Sequence, residues 1–135
     1  MKLAQHVLLD RDDKRSQMEA LRSALQILKT GTPIFVFPEG TRGPQGRLQP
    51  FKMGAFKVAT KAGVPIVPVS ISGTHLVMPK EVIMPQRSGR GITALHVHPP
   101  IPTKGRSEKD LAEISFQIIN EALSDEQKHL VEKDV

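Results

Sequence analysis

The chain has 135 residues, of which 39% are hydrophobic and 24% charged, with a formal net charge of +5. That is a one-domain length and the composition of an ordinary globular protein. No cysteine is present, so nothing calls for an oxidising compartment. No apolar run approaches the ~20 residues of a membrane-spanning helix, and "MKLAQHVLLDRDD" becomes charged too soon to read as a signal peptide.

In chain order, "HVLLD" (6–10) is a short strand-like run ending at Asp10-Arg11. "SQMEALRSALQILK" (16–29) is the strongest helical pattern, with Met18, Leu21, Leu25 and Leu28 in one stripe. Ser16 and Glu19 fit a capping box at its start, and Gly31 with Pro33 stops it. "IFVF" (34–37) reads as a strand covered on both faces. "MGAFKVATKA" (53–62) predicts a short helix ending at Gly63, with Lys57 and Lys61 one turn apart.

"PIVPVSIS" (65–72) predicts a second buried strand whose Pro68, lacking an N–H, implies an edge or a bulge. Residues 73–91 are rich in loop formers and predict no firm element; "ITALHVH" (92–98) then alternates as a strand would. A closing helix runs from Ser107 to Leu123, capped by Ser107 with Asp110 and carrying Leu111, Ile114, Ile118 and Ala122 as its inner stripe. Short strands alternating with helices predict a single α/β domain over 1–135, with a largely parallel or mixed sheet flanked by helices.

The charge is unevenly spread. Residues 1–106 hold 16 Lys and Arg against 6 Asp and Glu, a net of +10, whereas residues 107–135 hold 3 against 8, a net of −5. A basic body attracts phosphorylated metabolites, anionic lipid, an acidic carrier protein or nucleic acid. Five Phe without any Tyr or Trp weigh against nucleic acid, because single-strand binders interleave cations with stacking rings.

The chemistry concentrates in "PIFVFPEGTRGPQGRLQPFKMGAF" (33–56), where a strand-like run ends in a charged, glycine-rich loop. Ligands of open α/β sheets bind beyond the carboxyl ends of strands, and both Arg11 and the 38–47 loop follow such ends. If those strands are neighbours, Arg11, Arg42 and either Arg47 or Lys52 converge on one small volume. Gathered cations are favourable only around an anion, and the guanidinium fork suits phosphate oxygens. Glu39 would repel phosphate, so its expected role is to hold an arginine or to accept a bond from a substrate hydroxyl. Gly40 lets the backbone approach a ligand closely. The alternative is a set of ordinary surface ion pairs on a turn, each worth little.

"FPEGTR" (37–42), "FKMGAF" (51–56) and "VPIVPVSI" (64–71) resemble the third and fourth sequence blocks of the glycerolipid acyltransferases, which include the 1-acylglycerol-3-phosphate (lysophosphatidic acid) acyltransferases. "VLLDRDD" (7–13) resembles the second block, whose arginine falls on Arg11, and the blocks together span about residues 1–75. The resemblance implies a glycerol-phosphate site at Arg11, Glu39, Gly40, Thr41, Arg42 and Lys52. It implies acyl transfer from acyl-CoA or acyl carrier protein as co-substrate, with no bound cofactor and no metal. Expected partners are a phosphorylated glycerol lipid, an anionic membrane surface and an acyl carrier protein; nucleic acid is not among them.

The family's first block, N-H-x-x-x-x-D, supplies the histidine base and its orienting aspartate, and this chain does not contain it. His6 and Asp10 have three intervening residues where the block has four, and they lie within the second block's strand. No catalytic residue is therefore assigned. The expectation is a C-terminal part of the family domain, inactive alone, with apolar surface exposed for self-association; the alternative is a non-catalytic module binding a lipid headgroup. His96 and His98 share a strand face, but without a carboxylate or thiolate cluster they are expected to face solvent rather than a metal. His75 has no identifiable partner in the sequence.

Overall fold

The computed structural model describes residues 14–79 and 82–129. "HVLLD", Arg11 and the His6–Asp10 pair lie outside them. The described elements are α1 (Lys14–Lys29), a 3-10 turn (Pro44–Gly46), α2 (Gly54–Ala62), β1 (Val69–Ser72), α3 (Thr74–Val77), β2 (Ala94–Val97) and α4 (Glu108–Ala122).

Two of the predicted strands form and pair. β1 and β2 run antiparallel in the register Val69–Val97, Ser70–His96, Ile71–Leu95 and Ser72–Ala94. An isolated bridge continues the ladder at Ile66–Ile101, through hydrogen bonds of 2.9 and 2.7 Å. Three steps separate Ile66 from Val69 but four separate Val97 from Ile101, so one residue is inserted on the His98-Pro99-Pro100 side. This is a bulge, as Pro68 implied, although the extra residue sits on the opposite strand. Pro68 still accepts, its carbonyl taking the His98 N–H at 3.0 Å. The α/β character and the incomplete sheet agree with the expected largely parallel or mixed sheet, and the pairing among the described residues is antiparallel. The connection from β1 to β2 is a loop with the short helix α3, not the long helical crossover that parallel neighbours need.

The run 34–37 does not form a strand. Phe35 is 61% exposed and Phe37 65%, and their rings meet edge to face at 5.1 Å. Side chains two apart on one side mark an extended backbone, but that backbone has no ladder partner among the described residues. An apolar run records a preference for burial; a strand also needs a neighbour.

The core lies between α2, α4 and the 66/101 bridge. Phe56, Ile101, Leu111 and Ala112 are buried together, with Phe51, Ile66, Ile114 and Ile118 packed around them. α2 also packs against α1, and α4 against β1. α4 starts as predicted: Ser107 Oγ accepts the Asp110 N–H at 3.1 Å, and the Asp110 carboxylate accepts the Ser107 N–H at 3.2 Å. Its inner face is Leu111, Ala112 and Ser115, whereas Ala122, placed on the stripe by the sequence, is exposed. α1 departs at its start. The helix is already under way at Lys14, so Ser16 is inside it and not its cap, and Met18 is exposed.

Candidate functional site

The loop after Phe37 is closed by its own backbone. The Gly40 N–H donates to the Phe37 carbonyl at 3.1 Å, and the Lys52 N–H to the Pro38 carbonyl at 2.9 Å. Gly40 has φ +72°, a left-handed conformation that disfavours a side chain. A Cβ there would also stand 3.0 Å from Lys52 Nζ, so the absence of a side chain is what lets the Lys52 stem lie across the turn. Sequence reasoning placed Gly40 and Lys52 in one site, and the structure brings them together.

Glu39 points inward along the loop. Its Oε2 accepts the Gln49 N–H at 2.7 Å, a bond that favours the carboxylate. Burial acts the other way and more strongly, raising its pKa above the ordinary 4.5. Its described partner is a backbone amide, not the arginine that the sequence suggested. A carboxylate bound to an N–H ten residues on fixes the loop's width.

Arg42 and Thr41 are exposed on the rim, with Arg42 Nη1 3.5 Å from the Pro79 carbonyl. Arg47 turns away from this rim, its Nη1 reaching the Lys128 carbonyl at 3.4 Å. Of the cations expected to converge, Lys52 lies over the turn and Arg42 stands on its rim, Arg47 is committed elsewhere, and Arg11 lies outside the described residues.

Two contacts had no signal in the sequence. Gly46, at φ +74°, faces the His75 ring so closely that a Cβ would come within 2.4 Å of it, giving His75 the neighbour it lacked. His75 Nδ1 is buried without a hydrogen-bond partner. The segment after α4 also reaches the loop: the Leu48 N–H donates to the Gln127 carbonyl at 2.9 Å, and His129 Nδ1 meets the Leu48 carbonyl at 2.9 Å. No local pattern in the sequence signals a contact of this span. His129 and Asp134 do repeat the H-x-x-x-x-D spacing, behind Lys128 in place of an asparagine and after the other blocks instead of before them; Asp134 lies outside the described residues.

His96 and His98 form a separate group. His98 Nε2 and Ser70 Oγ are 2.7 Å apart, and the His96 and His98 rings are 4.5 Å apart. Burial, then the charge of His96, holds His98 below its ordinary 6.5. His96 is exposed as expected, but His98 is partly buried and bonded to Ser70. No group of three or more His, Cys, Asp or Glu among the described residues is arranged to hold a metal.

Residues 1–72, which span the charged loop and β1, match the family model described as Acyltransferase. The chain belongs to the acyltransferase family. It is 36% identical over 126 residues to a 1-acyl-sn-glycerol-3-phosphate acyltransferase of Chlamydomonas reinhardtii, covering 93% of this chain and 37% of that protein. Over 73 residues it is 51% identical to a chloroplastic 1-acyl-sn-glycerol-3-phosphate acyltransferase of Brassica napus, covering 54% of this chain and 21% of that one. The crystal structure of the 1-acyl-sn-glycerophosphate (LPA) acyltransferase PlsC from Thermotoga maritima superimposes with a TM-score of 0.66 at 40% identity, covering 74% of this chain and 41% of PlsC. The chain thus spans less than half the length of each of these relatives. No helix among the described residues is long and apolar enough to cross a membrane.

Proposed function

We propose that this chain carries the acceptor-phosphate portion of a 1-acylglycerol-3-phosphate acyltransferase, the enzyme class that makes phosphatidic acid. The observation that carries the reading is the seating of Lys52 over the left-handed turn at Gly40, two residues from Arg42. The Lys52 ammonium and the Arg42 guanidinium, both exposed, flank one glycine, and together they offer the charge and the donors that a phosphate takes. Glu39 does not compete for that phosphate, because its carboxylate is engaged with the Gln49 amide. The relatives whose names specify 1-acyl-sn-glycerol-3-phosphate support the same acceptor.

In the transfer itself the acceptor hydroxyl oxygen attacks the thioester carbonyl of acyl-CoA or acyl carrier protein. The C–O ester bond forms, the C–S bond breaks, and the thiolate leaves while a base takes the hydroxyl proton. This chain's part is to anchor the acceptor's phosphate so that the hydroxyl is presented in a fixed position. It supplies no N-H-x-x-x-x-D block, so binding without turnover is the expected behaviour. The basic residues Lys57, Lys61, Lys104 and Arg106 support docking of an acyl donor's phosphates, an acidic carrier protein or an anionic membrane surface.

Titration of the purified chain with sn-glycerol 3-phosphate tests this. Saturable binding that weakens with salt and is abolished in Arg42→Ala is expected, with no phosphatidic acid formed from acyl-CoA and lysophosphatidate. Binding unchanged in Arg42→Ala removes the phosphate site, and robust transfer removes the claim that the base is missing.

A further inference from the structure

We propose that Gln127 and His129, which lie outside the segment matched by the family model, are positioning residues for the charged loop. The inference rests on the acceptor-phosphate reading for its functional consequence but not for its structural content.

Both backbone polar groups of Leu48, a buried residue, are bonded by the segment after α4, the carbonyl also accepting a longer bond from Gln49 Nε2 at 3.4 Å. Its N–H donates to the Gln127 carbonyl at 2.9 Å. Its carbonyl has only lone pairs to offer, so His129 must present Nδ1 as the protonated nitrogen across 2.9 Å. The Gln127 side chain, on a residue 5% exposed, makes a further bond, its Oε1 accepting the Gly73 N–H at 3.3 Å. One residue therefore ties the loop after "FPEGTR" to the end of β1.

His129 is itself held by α4. Its N–H donates to Asn120 Oδ1 at 2.9 Å, and its ring meets Phe116 edge to face at 5.5 Å. Phe116 in turn meets Phe51 at 5.1 Å, and Phe51 stacks on Phe56 of α2 at 6.2 Å. The chain of contacts runs from the core to Leu48 without a break. Gln49, the next residue, donates its N–H to Glu39. Leu48 and Gln49 thus lie between two clamps, the C-terminal segment on one side and the Glu39 carboxylate on the other. Moving the first clamp moves the backbone on which Glu39 docks, and with it the Gly40–Arg42 turn. Without the His129 donor the Leu48 carbonyl keeps only the 3.4 Å bond from Gln49 Nε2, and a buried polar group so weakly paired is costly enough to shift the backbone.

The test compares the full chain with His129→Phe, which keeps a ring against Phe116 and loses the donor, and with Gln127→Met and Gln127→Glu, which remove and retain the side-chain acceptor. Amide hydrogen exchange is read at Leu48, Gly73 and Gln49, with Leu111 as the core reference. Faster exchange at Gln49 in His129→Phe, with Leu111 unchanged, is expected, together with faster exchange at Gly73 in Gln127→Met that Gln127→Glu restores. Titration with sn-glycerol 3-phosphate should show about tenfold weaker binding in His129→Phe, the size expected for one bond lost. If Gln49 stays protected while only Leu48 loses protection, the segment is a local tether and the proposal is overturned. If the wild-type chain binds no glycerol phosphate, the acceptor reading falls, and the exchange at Gln49 still decides the clamp. Should His129→Phe unfold, the Gln127 pair decides through Gly73 and Gln49.

Discussion

The contact between α2 and α4 and the loop at 38–49 are held by different physics. The first is apolar: Leu111 is 0% exposed, and Phe56, Ile101 and Ala112 close around it. The second is polar and half-buried, held by the Glu39–Gln49 bond, the turn at Gly40 and the bonds from Leu48 to the C-terminal segment. Apolar burial is non-directional and sums over area, so the helices supply stability without specifying a site. Hydrogen bonds add little net energy each, but they fix positions to within tenths of an ångström. Arg42 lies on the part that is positioned and Lys52 beside it, next to the part that is stable.

Substituting each part in turn should separate those properties. The largest effect is expected at the core: Leu111→Ala removes a fully buried side chain and should cost about 2–5 kcal/mol, read as a shift of the urea midpoint. The fraction that stays folded should bind glycerol phosphate as before; loss of binding in the folded fraction would show the two parts to be one cooperative unit. Gly46→Ala comes next. Its φ of +74° and a Cβ within 2.4 Å of the His75 ring make about 1–3 kcal/mol a reasonable cost. Here binding should fall with stability, because the displaced ring pushes on the loop itself. His75→Ala introduced alongside should recover part of the loss.

The two regions were also unequally legible. Ser107 with Asp110 predicted the start of α4, and the stripe at Leu111, Ile114 and Ile118 predicted its packed face, because capping and helical period are local properties. Gly63 likewise ends α2, its N–H donating to the Ala59 and Thr60 carbonyls. The runs 34–37 and 65–72 look alike as apolar strands, yet among the described residues only the second finds a partner, in β2. Pairing is a property of two segments, and neither carries it alone. In the loop, Glu39, Gly40, Arg42 and Lys52 stood out by residue type and by resemblance to family blocks. What escaped notice was the set of contacts made by Gln127 and His129, which lie some 80 positions from Leu48. No periodicity encodes a contact of that span.

A smaller effect tests the loop through pH. Burial raises Glu39 above its ordinary 4.5, so in the window from 4.5 up to the raised value the folded chain holds a proton that the unfolded chain has lost. Stability must therefore fall as pH rises through that window. Asp110 and Asp125 are shifted below their ordinary 3.8, mainly by hydrogen bonds from Ser107 and Lys128. Their contribution is present above 3.8 and lost as pH falls below it, outside the Glu39 window. His98, held below 6.5, works in the opposite sense, its neutral form favouring the fold as pH rises to 6.5. The difference between wild type and Glu39→Gln cancels His98, since both chains contain it. Glutamine keeps a carbonyl for the Gln49 N–H, so the difference should isolate the charge. Urea unfolding between about pH 4 and pH 7 should show wild type losing stability relative to Glu39→Gln as pH rises. Parallel curves would mean that Glu39 is solvated and the loop looser than its bonds imply.

The smallest effect is expected at the run that resembles a core strand and does not behave as one. Phe35 leaves 61% of its surface exposed, so Phe35→Ser gives up little burial and should change stability by no more than about 0.5 kcal/mol. Its ring contact with Phe37 at 5.1 Å adds little, because both rings remain mostly in water. The same change at Ile101, 6% exposed and bonded to Ile66 on both backbone groups, should behave like Leu111→Ala. A large loss at Phe35, concentration-dependent in the urea midpoint, would mean that the ring is covered in solution by a second copy of the chain. In that case the boundary between the stable and the positioned parts would have to be drawn across a dimer.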